Sequence, residues 1–328
     1  MLMTSNRKFS KQPIALVGLV YLASQILGVT SAGEALNKET GTQIPHGGIS
    51  DNVGQMIQRK PDSAAQGFLW RVKSTTSEVY LLGVSHWGNE RFYPLSPSIE
   101  TAFESSDTLV LETALDTDSQ KHLQERLFAA GTYPAGETLE QHLSAGVRDL
   151  YGEYLRDRHL ATEHLNRFRP WVAAWVISRE EDRRLGLSYE QSVPMHFLKR
   201  AQGHKTVVGL ETADDYVSLL GGWKERTQEL FLKLTLLEIK DSPPALGRLI
   251  DAWRSGDSTA AESLTTKEMS KSEFQPVYKS LVIDRNARMA GRVEQYLQAN
   301  GTYFVVLGAG HLLGKDSIIS LLGQKGYR

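Results

Sequence analysis

Two short segments, GVSH ending at His86 and GAGH ending at His311, each set a glycine three residues before a histidine at the close of an apolar run. Neutral imidazole is a donor to divalent ions and a proton carrier near neutral pH, so two of them in matched contexts point to metal or acid–base chemistry. The glycine has a separate reason, because a residue without Cβ lets the chain turn off a strand and lets a ligand approach the backbone. A second repeated string, L-E-T-A-x-D, occurs as LETALD, with Glu112 and Asp116, and as LETADD, with Glu211 and Asp215. Carboxylates beside neutral imidazoles form an N/O donor set for a divalent ion that activates water, and a carboxylate not used as a ligand can serve as general base. Each residue also has a plainer reading. Either histidine alone reads as a satisfied, partly buried side chain, and either glutamate as a capping or ion-pairing residue. Thr113 and Thr212 are natural helix N-caps, with Asp116 and Asp215 in the first turns that follow.

The elements that would position these residues are readable from periodicity. FLWRVK and EVYLLGVS are short β-branched and aromatic runs joined by a polar turn, a hairpin feeding a buried strand. Ser96 and Pro97 open a capped helix, and TLVLET is an apolar run too short for a helix, so strand, helix and strand suggest a βαβ unit. From Asp116 to about Lys205 the apolar spacing is helical, and KTVVGLET then returns to strand character. A second helical block is broken at Gly221-Gly222 and Pro243-Pro244 and ends in PVYKSLVIDRNARMAGRVEQYLQAN, with Gly301 as its expected C-cap. TYFVVLGAG is a strand and KDSIISLLGQKG a closing helix. The expectation is an α/β fold with a mixed, largely parallel sheet flanked by helices and a large helical insertion at about 117–205. All four motifs then fall at C-terminal strand ends, the edge where open α/β sheets bind ligands.

Composition narrows the class. The 328 residues, 41% hydrophobic and 23% charged, suit an ordinary globular chain, and 37 basic against 38 acidic residues leave no footprint for nucleic acid. Cysteine is absent, so any metal must sit on His, Asp and Glu, and disulfides and thiol nucleophiles are excluded. Arg7, Lys8 and Lys11 precede an apolar run from Ile14 to Val29 and the small residues Thr30, Ser31 and Ala32, the pattern of a secretory signal. We expect residues 1–32 to be a signal peptide, 33–66 a loosely ordered lead-in, and 67–328 the domain. Membrane anchoring by residues 14–29 is the secondary reading, because the run is interrupted by Ser24 and Gln25 and is short for a bilayer. No G-x-S-x-G elbow, H-E-x-x-H helix, P-loop or G-x-G-x-x-G turn occurs. His46, His122, His142, His159, His164, His196 and His204 lack a metal-type partner and read as surface or packing residues.

Taken together, LLGVSHWGNERFYPLSPSIETAFESSDTLVLET, VVGLETADD, LVIDRNARMAGRV and FVVLGAGHLLGKDSIISLLGQKGY resemble the TraB/GumN family from about Phe68 to Tyr327. That family groups with the TIKI metalloproteases and more distantly with erythromycin esterases and ChaN-like haem-binding proteins. The resemblance implies an α/β fold with a helical insertion and a site built on His86, His311 and Glu112, with Arg285 and Asn286 at the place of the family's Arg-Asn pair. A helix ion pair is the competing role for those two. The resulting expectation is a periplasmic or secreted hydrolase that cleaves a peptide or amide bond with Mn²⁺, Co²⁺ or Zn²⁺. His86, His311 and Glu112 are its expected ligands, and Glu211 completes the shell or acts as base. Trp87 lines the pocket or packs. The expected partner is a peptide or small-molecule substrate, with a membrane met only through an uncleaved signal segment. The alternatives are a non-catalytic peptide- or haem-binding protein of the same fold, and an esterase-like reaction in which a histidine activates water without metal.

Overall fold

The computed structural model describes residues 63–328 apart from 115–116, 241, 267–268 and 270. The expected signal segment and most of the lead-in lie outside the described residues, as do His46 and Asp116. The last lead-in residues are already tied down: Ala65 is buried and its N–H donates to the carbonyl of Pro94.

Five strands form one sheet in the order β1-β2-β5-β3-β4. β1 (Phe68–Lys73) and β2 (Ser77–Val84) make the antiparallel hairpin that their alternating runs predict. The remaining neighbours, β2 with β5 (Gly301–Gly308), β5 with β3 (Thr108–Thr113) and β3 with β4 (Thr206–Glu211), are parallel. The fold is thus α/β with a mixed, mostly parallel sheet. One detail departs from the simple βαβ expectation. β2, α1 (Pro97–Glu104) and β3 follow one another in the chain, yet β5 is inserted between the two strands. Nothing local in the sequence announces a pairing across nearly two hundred residues.

The insertion between β3 and β4 contains α2 (Thr117–Gly131), α3 (Ala145–Asp157), α4 (Pro170–Arg184) and α5 (Val193–Ala201). The second block, between β4 and β5, contains α6 (Ala213–Gly221), α7 (Glu225–Lys240), α8 (Ser242–Ser255), α9 (Ser258–Thr266) and α10 (Asp284–Gln298), and α11 (Ile318–Gln324) closes the chain. Gly221 ends α6, and the two prolines fall in the first turn of α8, where their missing N–H groups cost nothing. The two blocks share a core remote from the sheet, in which Trp171, Ala174 and Ile177 of α4 cluster with Leu230, Leu234 and Phe231 of α7.

The sheet has an apolar cluster on each face. Leu109 and Leu111 of β3 join one with Phe304 and Val306 of β5, while Val110 joins the other with Val305, Leu307 and the α10 residues Met289, Ala290, Val293 and Leu297. This two-residue alternation directs Glu112, in phase with Val110, toward the face that α10 covers. Arg285 and Met289 are four residues apart on α10, as are Asn286 and Ala290, so the same buried stripe that packs on the sheet ends in a guanidinium and an amide at the strand ends. Helix α10 ends at Ala299 rather than at the expected Gly301, which has φ 137° and begins β5.

Candidate active site at the C-terminal edge of the sheet

Four parallel strand ends deliver the four motifs to one edge. β2 runs out at Val84, opposite Gly308 at the end of β5, and Thr113 of β3 is level with Glu211 of β4. Beyond β2 the chain turns at Ser85, whose hydroxyl donates to the carbonyl of Trp87 at 2.8 Å, and the indole of Trp253 holds the Gly83 carbonyl at 2.7 Å. Beyond β5 a single 3-10 turn, Ala309–His311, brings the second histidine back toward the first.

The segments far apart in the chain meet on Glu112. His86 Nε2 is 3.6 Å from its Oε2 and His311 Nε2 is 3.7 Å from its Oε1. The N–H of Gly308 donates to Oε2 at 3.2 Å, and the guanidinium of Arg285 binds Oε1. Arg285 also grips Glu211, with Nε 3.0 Å from Oε1 and Nη2 2.5 Å from Oε2, so one buried cation joins two buried carboxylates. Arg288 reaches Glu211 from the half-exposed rim at 3.9 Å. Gly308 is required by steric fit: a Cβ there would lie 2.6 Å from His86 Nε2 and 3.5 Å from His311 Cδ2. The glycine of the second Gly-x-x-His therefore makes room for the histidine of the first.

The tautomer of His311 follows from its neighbours. Asn286 donates through Nδ2 to the carbonyl of Asp316 at 2.7 Å, which leaves its Oδ1 to accept from His311 Nδ1 at 2.5 Å. With the proton on Nδ1, neutral His311 carries a lone pair on Nε2, a buried atom with no hydrogen-bond partner that faces a carboxylate oxygen. Burial keeps the ring neutral, lowering its pKa, and the positive Arg285 acts in the same sense against the pull of Glu112. His86 is driven down to about 3, first by burial and then by His311 and Arg285, with Glu112 opposing. Burial alone would raise the pKa of Glu112, but the adjoining guanidinium of Arg285 holds it well below the carboxylate range.

Arg285, Asn286, Glu112, Glu211, His86 and His311, all singled out in the sequence, are thus gathered in one buried cluster. The hydrogen bonds of Glu211 go to Arg285. Of the two threonines expected to cap helices, Thr212 does so in a reciprocal box with Asp215, the backbone N–H of each residue bonding the side chain of the other at 2.8 and 3.2 Å. Thr113 instead donates to the hydroxyl of Tyr216 at 2.8 Å. Tyr216 is buried beside Arg285, whose guanidinium carbon stands 5.6 Å from the ring centroid. Sequence reasoning missed Tyr216, although its place one turn after LETA was a usable signal. It also missed the π-helical turn Lys279–Ile283 that immediately precedes α10, a feature with no sequence signature that is frequent at functional sites. Trp87 packs: it is buried, lies 6.5 Å from Tyr189 and has Arg179 over its ring.

Among the described residues no group of three or more His, Asp or Glu side chains is placed to hold a metal ion. In kind, two neutral imidazoles beside a carboxylate are the N/O donors that a divalent ion takes. The lone pair of His311 Nε2 opposite a carboxylate is repulsive unless a cation or proton lies between them. One guanidinium against two carboxylates, with both imidazoles neutral, also leaves the buried core of the cluster one negative charge in excess.

Residues 68–328 match the model of the TraB/PrgY/gumN family, and the chain is a member of that family. It is 25% identical to a protein named Metalloprotease TIKI homolog of Amphimedon queenslandica, over 81% of this chain and 61% of that protein. It is 23% identical to the Metalloprotease TIKI homolog of Nematostella vectensis, over 85% of this chain and 70% of that protein. It is 27% identical to Metalloprotease TIKI2 of Xenopus tropicalis, over 85% and 62% respectively. The chain thus spans about three fifths of the length of the first of these relatives. No solved structure matches it.

Proposed function

We propose that this chain is a metal-dependent hydrolase that cleaves a peptide or amide bond, with His86, His311 and Glu112 as the metal ligands. The observation that carries this reading is the lone pair of His311 Nε2, buried and unpartnered, facing a carboxylate 3.7 Å away. The relatives named as metalloproteases support the same reaction class. A divalent ion at such a site lowers the pKa of a coordinated water and polarises a carbonyl oxygen.

The chain's own residues supply the preorganisation. Asn286 fixes the His311 ring in the tautomer that presents Nε2, as second partners of ligating histidines do. Gly308 orients Glu112 through its N–H and leaves room for His86. Arg285 and Glu211 hold Glu112 from the other side, and Glu211 acts as a positioning carboxylate because both of its oxygens are engaged by Arg285. Burial of the whole set strengthens these interactions and limits competing water.

Export belongs to the same proposal, resting on the basic, apolar and small-residue succession over residues 1–32, whose removal leaves 34 basic against 38 acidic residues. Among the described residues no helix is long and apolar enough to cross a membrane. A peptide-library cleavage assay with Mn²⁺, Co²⁺ and Zn²⁺ tests the reaction. Cleavage that is abolished by a chelator and restored by one of these ions is expected. Cleavage indifferent to chelation would instead indicate a histidine acting on water directly.

A further inference from the structure

The reactive cluster is almost wholly enclosed, and a substrate needs a way to it. A pocket reaches it from the face of the sheet opposite α10, where His86 and Gly308 form one wall. Its other wall is a stripe of α8, Leu246, Leu249, Ile250 and Trp253, spaced by three and four residues so that all four project from one helix face. Phe92 and Phe68 add aromatic rings to the lining. The mouth is formed by the half-exposed Ser85, Leu249, Ala309 and Gly310. The enclosed space is about 30 Å³, less than a leucine side chain fills, so a guest enters only as Leu249 at the mouth gives way.

We infer that this pocket receives an apolar side chain of the substrate, aliphatic or aromatic, next to the bond to be cleaved. The inference rests on the hydrolase reading for the identity of the occupant, and on its own geometry for the chemistry. The lining has no Asp, Glu, Lys or Arg, and the hydroxyls of its Ser85 and Thr265 are already bonded to backbone carbonyls, so a charged group entering would lose its hydration for little return, whereas an apolar group would gain contact. Continuity with the site is direct, because the imidazole of His86 borders the pocket on one side and faces Glu112 on the other. A side chain lodged here leaves its adjoining backbone at the Gly308–Gly310 turn, beside the histidines. The half-exposed Leu249 controls the free width, since the other three residues of the stripe are fixed in the core.

The test uses two readouts on the full-length protein. N-Acetyl-leucinamide and N-acetylglycinamide are titrated against protein with labelled methyl groups, and in parallel a peptide series varied at one residue is assayed for kcat/KM. The leucine probe is expected to shift the methyl signals of Leu249 and Ile250 and the glycine probe to leave them in place. Cleavage should favour Leu, Ile or Phe over Gly by about tenfold or more, and Asp should be rejected. Leu249→Trp should abolish the probe shift and raise KM for the large apolar peptides, while Leu249→Ala should move the preference toward Phe. Absence of methyl shifts with the leucine probe, or equal cleavage of Leu and Gly peptides, would overturn the pocket assignment. Selective methyl shifts without cleavage of any peptide would uphold the pocket and remove the hydrolase reading instead.

Discussion

Asn286 Oδ1 sits 2.5 Å from Nδ1 of His311, while the other end of the same amide is committed to the carbonyl of Asp316. A side chain on α10 thereby decides which nitrogen of a histidine at the end of β5 is free to act. Asn286→Ala should leave the fold intact and weaken metal binding about 10–100-fold, as measured by competition with a chromophoric chelator. Unchanged affinity would show that the ring needs no such support.

Gly308→Ala places a methyl group where His86 Nε2 now stands 2.6 Å away. With backbone fixed on both sides, the imidazole must move, so the variant should lose metal and activity and lose about 1–3 kcal/mol of stability. Gly291, in the interior of α10, has nothing within 4 Å of an added Cβ, and Gly291→Ala should instead stabilise the protein by about 0.5–1 kcal/mol. Urea unfolding of the two variants side by side measures both effects.

Removing Arg285 leaves Glu112 and Glu211 buried without their shared cation. Arg285→Ala should therefore cost roughly 3–5 kcal/mol. The cost of Glu211→Gln should be smaller in the Arg285→Ala background than in the wild type, because the carboxylate then has no cation to lose. Strict additivity in the double-mutant cycle would mean that the two groups do not interact.

Asp215 caps α6 and meets Arg292 of α10 at 3.2 Å. Burial alone would raise its pKa, but the bonds from Thr212 and Arg292 hold it below its ordinary 3.8. A carboxyl group with a depressed folded-state pKa adds stability above its unfolded pKa and loses it as the pH falls through the folded value. Asp215→Asn should thus cost about 1 kcal/mol near pH 7, and the gap from the wild type should close as the pH drops through 3.8 and below. Thermal unfolding across that range reads it directly, and a gap independent of pH would contradict the assignment.

Much of the sheet was legible because its signals are local. Short apolar runs rich in β-branched and aromatic residues gave all five strands, and the repeated Gly-x-x-His and L-E-T-A-x-D strings fall at strand ends as parallel pairing requires. What stayed hidden is relational. Arg285 reaches Glu112 across 173 positions and Glu211 across 74, and no periodicity records such distances. The insertion of β5 between β2 and β3 is of the same kind. The π-turn before α10 and the conversion of Thr113 from expected cap to partner of Tyr216 depend on packing that exists only once the strands are assembled.

Whether His86 and His311 are metal ligands is decided by mass spectrometry of the purified protein after exchange into chelator-free buffer with one divalent ion supplied. The wild type should retain about one ion per chain, and His86→Ala and His311→Ala, shown by circular dichroism to be folded, should each retain essentially none. Stoichiometric metal unaltered in both variants would contradict the ligand assignment.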